Sequence, residues 1–151
     1  MTAWRRAARV LSPLTVVFCT AVILLAGCAG APSIAKKSRS NAFEAAVTTN
    51  AKLMRWGYFD EAANYVRAQD GSEIEIDLAR ISRFRVTGYR IASQLTADNQ
   101  REGRVVAMVE YYEIDSGVLH TLRDEQHWWY DDESKRWYLG SPLPSFGLPQ
   151  E

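Results

Sequence analysis

From Arg83 to Leu139 apolar residues recur at every second position, and this constrains the fold more than any other feature. A period of two places alternate side chains on opposite faces of a strand. Phe84 and Val86 alternate with Arg83, Arg85 and Thr87; Gly88 interrupts, and Tyr89, Ile91 and Leu95 continue in the opposite phase. A phase slip at a glycine predicts a β-bulge. Asp98-Asn99-Gln100 and Gly103 turn the chain, and Val105 to Tyr112, apolar on both faces, predicts a central strand. Asp115-Ser116-Gly117 makes the next turn, Val118 to Tyr130 a long third strand, 131–135 another turn and Arg136 to Leu139 a fourth. The segment therefore reads as an antiparallel meander of about four strands.

Turn length sets the register. A two-residue loop at Ser116-Gly117 places Glu110 opposite Arg123, Glu113 opposite His120 and Val105 opposite Trp128. A three-residue loop would set Glu110 against Leu122 and Val109 against Arg123. The first pairs charges and separates a drier face from a wetter one, so it is the expected register. A four-residue loop at 132–135 places Asp131 opposite Arg136, Tyr130 opposite Trp137 and Trp129 opposite Tyr138. One face then carries Val105, Ala107, Val109, Tyr111, Leu122, Trp128, Tyr130, Trp137 and Leu139. Trp129 points the other way, with a charged patch of Glu110, Arg123, Glu125 and His127.

The residues before the strands follow a helical period. Asn41-x-x-Glu44 has capping-box spacing, and Phe43, Val47, Ala51 and Met54 recur as one apolar stripe up to Gly57. Asp60 is placed to cap a shorter second helix carrying Ala63, Tyr65 and Val66, which stops before Asp70-Gly71. Residues 73–81 fit either a short strand or a helical turn. At the far end, Ser141 to Pro149 is too rich in proline to extend a sheet, so Leu143 and Phe146 are expected to pack over an open edge.

The first 28 residues are of another kind. Trp4-Arg5-Arg6-Ala7-Ala8-Arg9 precedes an apolar run that ends in Leu25-Ala26-Gly27-Cys28. A cationic start, an apolar middle and small residues before the cut make a secretory signal. The cysteine placed directly after Ala26-Gly27 resembles the lipobox of bacterial lipoproteins. The resemblance implies cleavage of 1–27, a diacylglyceryl thioether on Cys28 and acylation of the new amine. The partner it implies is membrane lipid, held firmly because two or more acyl chains anchor stably. Ala29 and Gly30 lack the aspartate that resembles inner-membrane retention, so a Gram-negative cell would carry the protein on the periplasmic face of its outer membrane; any other would carry it on the cell membrane. Residues 28–40 read as the acylated cysteine and a flexible tether.

Removal of residues 1–27 from the 151 leaves 124, enough for one domain with a core, here 41–146, and a tail 147–151. Arg5, Arg6 and Arg9 leave with the signal, so 15 basic residues remain against 18 acidic ones. That balance carries no basic footprint for nucleic acid. Cys19 is removed and Cys28 acylated, which leaves no thiol for a disulfide, a metal or a nucleophile.

Two helices followed by a bent antiparallel meander make an α+β roll. The stretch from Arg55 to Ala63 between the helices, with His127-Trp128-Trp129-Tyr130 and Arg136-Trp137-Tyr138-Leu139 in the last hairpin, resembles uncharacterised bacterial lipoproteins of the nuclear transport factor 2-like, or cystatin-like, group. The resemblance implies two N-terminal helices packed on a curved sheet of about four strands. That group holds isomerases, dehydratases and cyclases beside binding modules, so the fold does not choose a function.

No phosphate-cradling glycine loop, HExxH or nucleophile elbow is present, and no cofactor is expected. His120 and His127, seven apart, face opposite sides of one strand and share no metal. Asp124 falls on the helix-facing side with Tyr111, His120 and Gln126, and these make the catalytic candidates Asp124, Tyr111 and His120. A carboxylate walled by apolar side chains has a raised pKa and suits acid or base work. The competing and favoured expectation pairs Asp124 with Arg83, Arg85 or Arg90 in a structural ion pair. Trp128, Trp137, Tyr130 and Gln126 are candidates for ligand contact, and the aromatics are core residues first. The expected function is a lipid-anchored envelope accessory domain that binds a partner protein or a small apolar ligand; the alternative is a pocket enzyme of the isomerase, dehydratase or cyclase kind.

Overall fold

The computed structural model describes residues 31–147. The expectations for the signal segment, for Cys28 and for 148–151 lie outside the described residues. The chain divides into two compact units between Ala35 and Lys36. Of the first, only the helical stretch 31–35 is described; the sheet and the side chains packed on it belong to the second.

The order is α1 (Ala31–Trp56), α2 (Phe59–Ala63), α3 (Leu78–Ile81), β1 (Phe84–Thr96), β2 (Glu102–Glu113), β3 (Leu119–Asp131) and β4 (Arg136–Leu139). The strands form one antiparallel sheet in sequence order, and the architecture is α+β. The helix begins well before the expected cap, so the tether reading of 28–40 is corrected for residues 31–40. Ala35, Lys36, Lys37 and Arg39 are strong helix formers, and a helix nucleated on its packed half extends through them at small cost. Asn41 and Glu44 stand within the helix, where neither caps it.

Phe43, Val47, Asn50 and Met54 form the buried stripe of α1, with Asn50 where Ala51 was expected. The Phe43 ring lies 4.6 Å from that of Trp137 and 6.3 Å from that of Trp128. It also covers Gly103, where a Cβ would overlap the ring. At the other end of the helix, Arg55 Nη1 donates to the Val86 carbonyl at 2.8 Å. Asp60 does not cap α2; it stands in the first turn. Tyr65 and Val66 leave the helix instead. Val66 bridges Leu139 in parallel, with Leu139 N donating to Tyr65 O at 2.7 Å and Arg67 N to Leu139 O at 2.9 Å. This short bridge occupies the free side of β4, which would otherwise expose unpaired backbone groups. Residues 73–81 resolve into an irregular stretch and then α3, capped by Asp77 accepting from Arg80 N at 2.9 Å.

β1 slips register against β2 between Val86 and Gly88, as the glycine predicts, and again between Ile91 and Ser93. The second slip was not visible in the hydrophobic pattern. It turns Leu95 outward, 68% exposed, where the alternation from Tyr89 and Ile91 predicts it inward.

The β2–β3 register differs from the expected one by two residues. Glu110 meets Thr121, Tyr111 meets His120, Val105 meets Gln126 and Gly103 meets Trp128. The turn is longer than two residues: Gly117, at φ 66°, donates its N–H to Glu113 O at 2.8 Å, and Ser116 Oγ accepts from Val118 N. Glu113 instead pairs with Arg83 at 2.6 Å and Arg123 with Glu125 at 2.7 Å. Such exposed pairs contribute up to about 1 kcal/mol and do not outweigh a turn geometry. Because the displacement is even, every side chain keeps its expected face. The β3–β4 register is as expected.

Val105, Ala107, Val109, Tyr111, Leu122, Trp128, Trp137 and Leu139 accordingly join the core with Phe43, Val47 and Met54. Leu143 and Phe146 are buried too, packed into the core rather than along a sheet edge. The Phe146 ring lies 4.7 Å from Tyr111, 5.6 Å from Phe84 and 6.4 Å from Phe59.

Candidate functional site

Asp124 lies on the helix-facing side of β3 and is buried, 7% exposed. Among the described residues no arginine reaches it, which corrects the expected ion pair with Arg83, Arg85 or Arg90. Arg83 binds Glu113, Arg85 donates to Ser82 and Phe84 carbonyls, and Arg90 stands opposite Met108, on the face away from Asp124. The partners are neutral instead. Gln126 Nε2 donates to Asp124 Oδ2 at 2.6 Å and to Tyr89 Oη at 2.6 Å, and Tyr89 Oη donates to Asp124 Oδ2 at 3.3 Å. Gln126 Oε1 accepts from Trp128 Nε1 at 2.9 Å. The chain Tyr89–Asp124–Gln126–Trp128 is thus a connected polar network inside an apolar core.

Burial without a counter-charge pushes the Asp124 carboxyl above the usual aspartate range, against the opposing pull of the Gln126 and Tyr89 hydrogen bonds. Tyr89 is pushed up as well, first by burial and then by the Asp124 charge. Among the described residues Asn50, on α1, is the other deeply buried polar side chain, and its Oδ1 has no partner there.

The other catalytic candidates do not converge on Asp124. Tyr111 is buried, and its hydroxyl accepts from Gly147 N at 3.2 Å. His120 stacks on Tyr111, with centroids 5.4 Å apart, and is exposed. Both stand in the register row four residues along β3 from Asp124, roughly 13 Å away at the rise of a strand. Of the ligand candidates, Trp128 is 0% and Trp137 3% exposed, each with its indole N–H satisfied, Trp137 on the Arg39 carbonyl at 3.1 Å. Tyr130, half-buried, lies against Trp137 and under the Arg39 guanidinium. Gln126 borders a cleft of about 350 Å³ with His127, Arg104, Leu95 and Ser141, and Trp137 borders one of about 260 Å³ with Ala42, Ala46, Tyr65 and Arg136.

A cavity of about 300 Å³ opens between α3 and the C-terminal segment, lined by Asp77, Arg80, Phe84, Leu143 and Phe146 among others. Arg80 Nη2 donates to the Phe146 carbonyl at 2.7 Å and holds that segment in place. Among the described residues no cluster of three metal-ligating side chains exists, and no helix is long and apolar enough to cross a membrane. Tyr89 and Asn50 are the polar groups that sequence reasoning missed. Asn50 was detectable, since it follows Val47 by three and precedes Met54 by four, on the apolar stripe itself.

Comparisons with family models, curated proteins and solved structures returned no match. The functional reading therefore rests on the chain's own chemistry.

Proposed function

We propose that this chain is a lipid-anchored accessory domain of the bacterial cell envelope that works by binding a partner protein. The anchor is an acylated Cys28. In a Gram-negative cell the domain faces the periplasm from the outer membrane, and otherwise it sits on the cell membrane. The fold is a cystatin-like roll of the nuclear transport factor 2-like group, a reading supported by α1 lying on the sheet through Phe43 and by the Gly88 slip in β1.

The observation that carries binding over catalysis is the filled helix-facing side of the sheet. Trp128, Trp137 and Phe146, all buried, occupy the space where a pocket enzyme of this fold would hold substrate. The other two catalytic candidates, Tyr111 and His120, are engaged away from Asp124, and Tyr89 beside it is tied into the buried network with Gln126.

Metabolic labelling with a fatty-acid analogue tests the anchor. Cys28→Ser is expected to leave an unlabelled precursor, and labelling equal to that of the unsubstituted protein removes the lipoprotein reading. Complementation of a deletion strain tests the mode of action. Asp124→Asn is expected to complement fully; a stable, correctly anchored variant that fails would restore the enzyme reading, because an amide keeps the shape of the carboxyl but not its proton.

A further inference from the structure

The C-terminal end of α1 meets the start of β1 at a cleft of about 280 Å³ walled by Trp56 and Tyr112, with Arg55 and Arg85 as its charged side chains among the described residues. Trp56 is 72% exposed, whereas Trp128, Trp129 and Trp137 are all buried. The backbone that carries it is capped. Gly57, at φ 77°, ends the helix with Gly57 N donating to Met54 O and Tyr58 N to Leu53 O at 2.9 Å, the paired bonds of a Schellman cap. A backbone fixed at a capped helix end spares a partner the cost of ordering the main chain that carries the ring.

The two arginines are similarly positioned and unneutralised. Arg55 Nη1 is tied to the Val86 carbonyl at 2.8 Å, and its guanidinium carbon lies 5.6 Å from the Trp56 ring centroid. Arg85 is held by the Ser82 and Phe84 carbonyls, at 3.4 and 3.2 Å. Neither touches a carboxylate among the described residues. The acids nearest in register are Glu113, taken by Arg83, and Glu110, which lies over Gly88. A guanidinium has five N–H donors, so each arginine keeps donors to spare.

The apolar surface continues past the cleft. Tyr112 stands beside Leu119 in register, and the hairpin tip carries Ile114 and Val118, all three aliphatic side chains exposed. A small molecule would use the cleft alone, whereas a chain segment could use the cleft and the strip together. Exposed tryptophan, tyrosine and arginine are also the residues that dominate binding energy between proteins.

We propose that this surface docks a peptide segment of a partner protein in which a carboxylate adjoins an apolar side chain, the carboxylate received by Arg55 and Arg85 and the apolar group by Trp56 and Tyr112. The inference rests on reading the chain as a binding module and is independent of the lipid anchor. Fluorescence polarisation against an array of short synthetic peptides, with Glu or Asp beside Leu or Phe and each paired with its Gln or Asn counterpart, tests it. Acidic members are expected to bind, more weakly as salt is raised, and to lose about tenfold in affinity as the amide counterparts. Trp56→Ala and Arg85→Gln, both at exposed positions, are each expected to lose about as much with unchanged urea melts. The proposal is overturned if no acidic member binds, if Trp56→Ala binds as tightly as the unsubstituted protein, or if only an acidic oligosaccharide such as polygalacturonate binds in a Trp56-dependent way. A partner cross-linked to a different face would remove this site while leaving the binding reading intact.

Discussion

Asp124 is a buried, ionisable side chain held by neutral partners. Its carboxyl has two neutral partners, Tyr89 and Gln126, and no cation among the described residues, so ionisation in the fold is opposed by lost hydration and only partly offset by hydrogen bonds. The sign of the pH effect follows. In the unfolded chain the group titrates in the ordinary aspartate range; in the fold it titrates higher. Its contribution to stability is therefore complete below the ordinary range and is lost as pH rises through the raised folded value. An asparagine side chain at this position would keep an acceptor for Gln126 and carry no charge. Asp124→Asn is accordingly expected to raise the stability at pH 7 by about 1–3 kcal/mol, the cost of a poorly compensated buried polar group. The gain should vanish towards acid pH, below the ordinary aspartate range, where both side chains are neutral. Urea melts across that range check it, and a variant less stable than the unsubstituted protein at pH 7 would contradict it. An ion pair with Arg83, Arg85 or Arg90 would have reversed this sign, so the experiment also tests the corrected partnership.

At the scale of elements, faces are more robust than partners. The β2–β3 register moved by two residues relative to the turn-based expectation, yet Asp124, Gln126 and Trp128 kept the helix-facing side because two is the period of a strand. Trp129 also kept its side, but that side is covered. The 65–67 segment runs along the free side of β4 and reaches Trp129 through Arg67: Trp129 Nε1 donates to Arg67 O at 2.7 Å, and its ring lies 5.3 Å from that of Tyr138, leaving it 8% exposed. Its truncation therefore approaches the cost of a core aromatic. Trp128→Ala and Trp137→Ala are each expected to lose about 3–5 kcal/mol, and Trp129→Ala a comparable amount in place of the small loss that a solvated face implies. Trp129→Phe isolates the hydrogen bond and is expected to lose about 1 kcal/mol. Chemical denaturation of the four variants decides, and a loss below about 1 kcal/mol for Trp129→Ala would mean that the 65–67 cover contributes little.

At the scale of the whole molecule, the interior is completed by the end of the chain. After β4 the backbone returns so that Phe146 joins Phe59, Phe84 and Tyr111, Arg80 holds its carbonyl, and Gly147 satisfies the Tyr111 hydroxyl. A group that could have served a pocket is thereby spent on packing. Phe146→Ala is expected to lose about 3–5 kcal/mol and to increase binding of a hydrophobic dye, as a buried aromatic is replaced by a void. A variant as stable as the unsubstituted protein, with no added dye binding, would show the segment to be a loose cover.

The sequence by itself determined the α+β composition, the order of the four strands, the slip at Gly88 and the face of nearly every core side chain. These follow from local periodicity, which short-range sterics and burial enforce within each element. It did not determine the second slip near Ala92, because Tyr89, Ile91 and Leu95 fit an unbroken alternation and the irregularity is set by pairing with β2. The early helix start, the cover over Trp129 and the neutral partners of Asp124 likewise depended on what lies across space. Asp124 meets Tyr89 across 35 positions and Trp129 meets Arg67 across 62. No local pattern encodes such distances, and only tertiary structure decided which polar group would neutralise, or fail to neutralise, another.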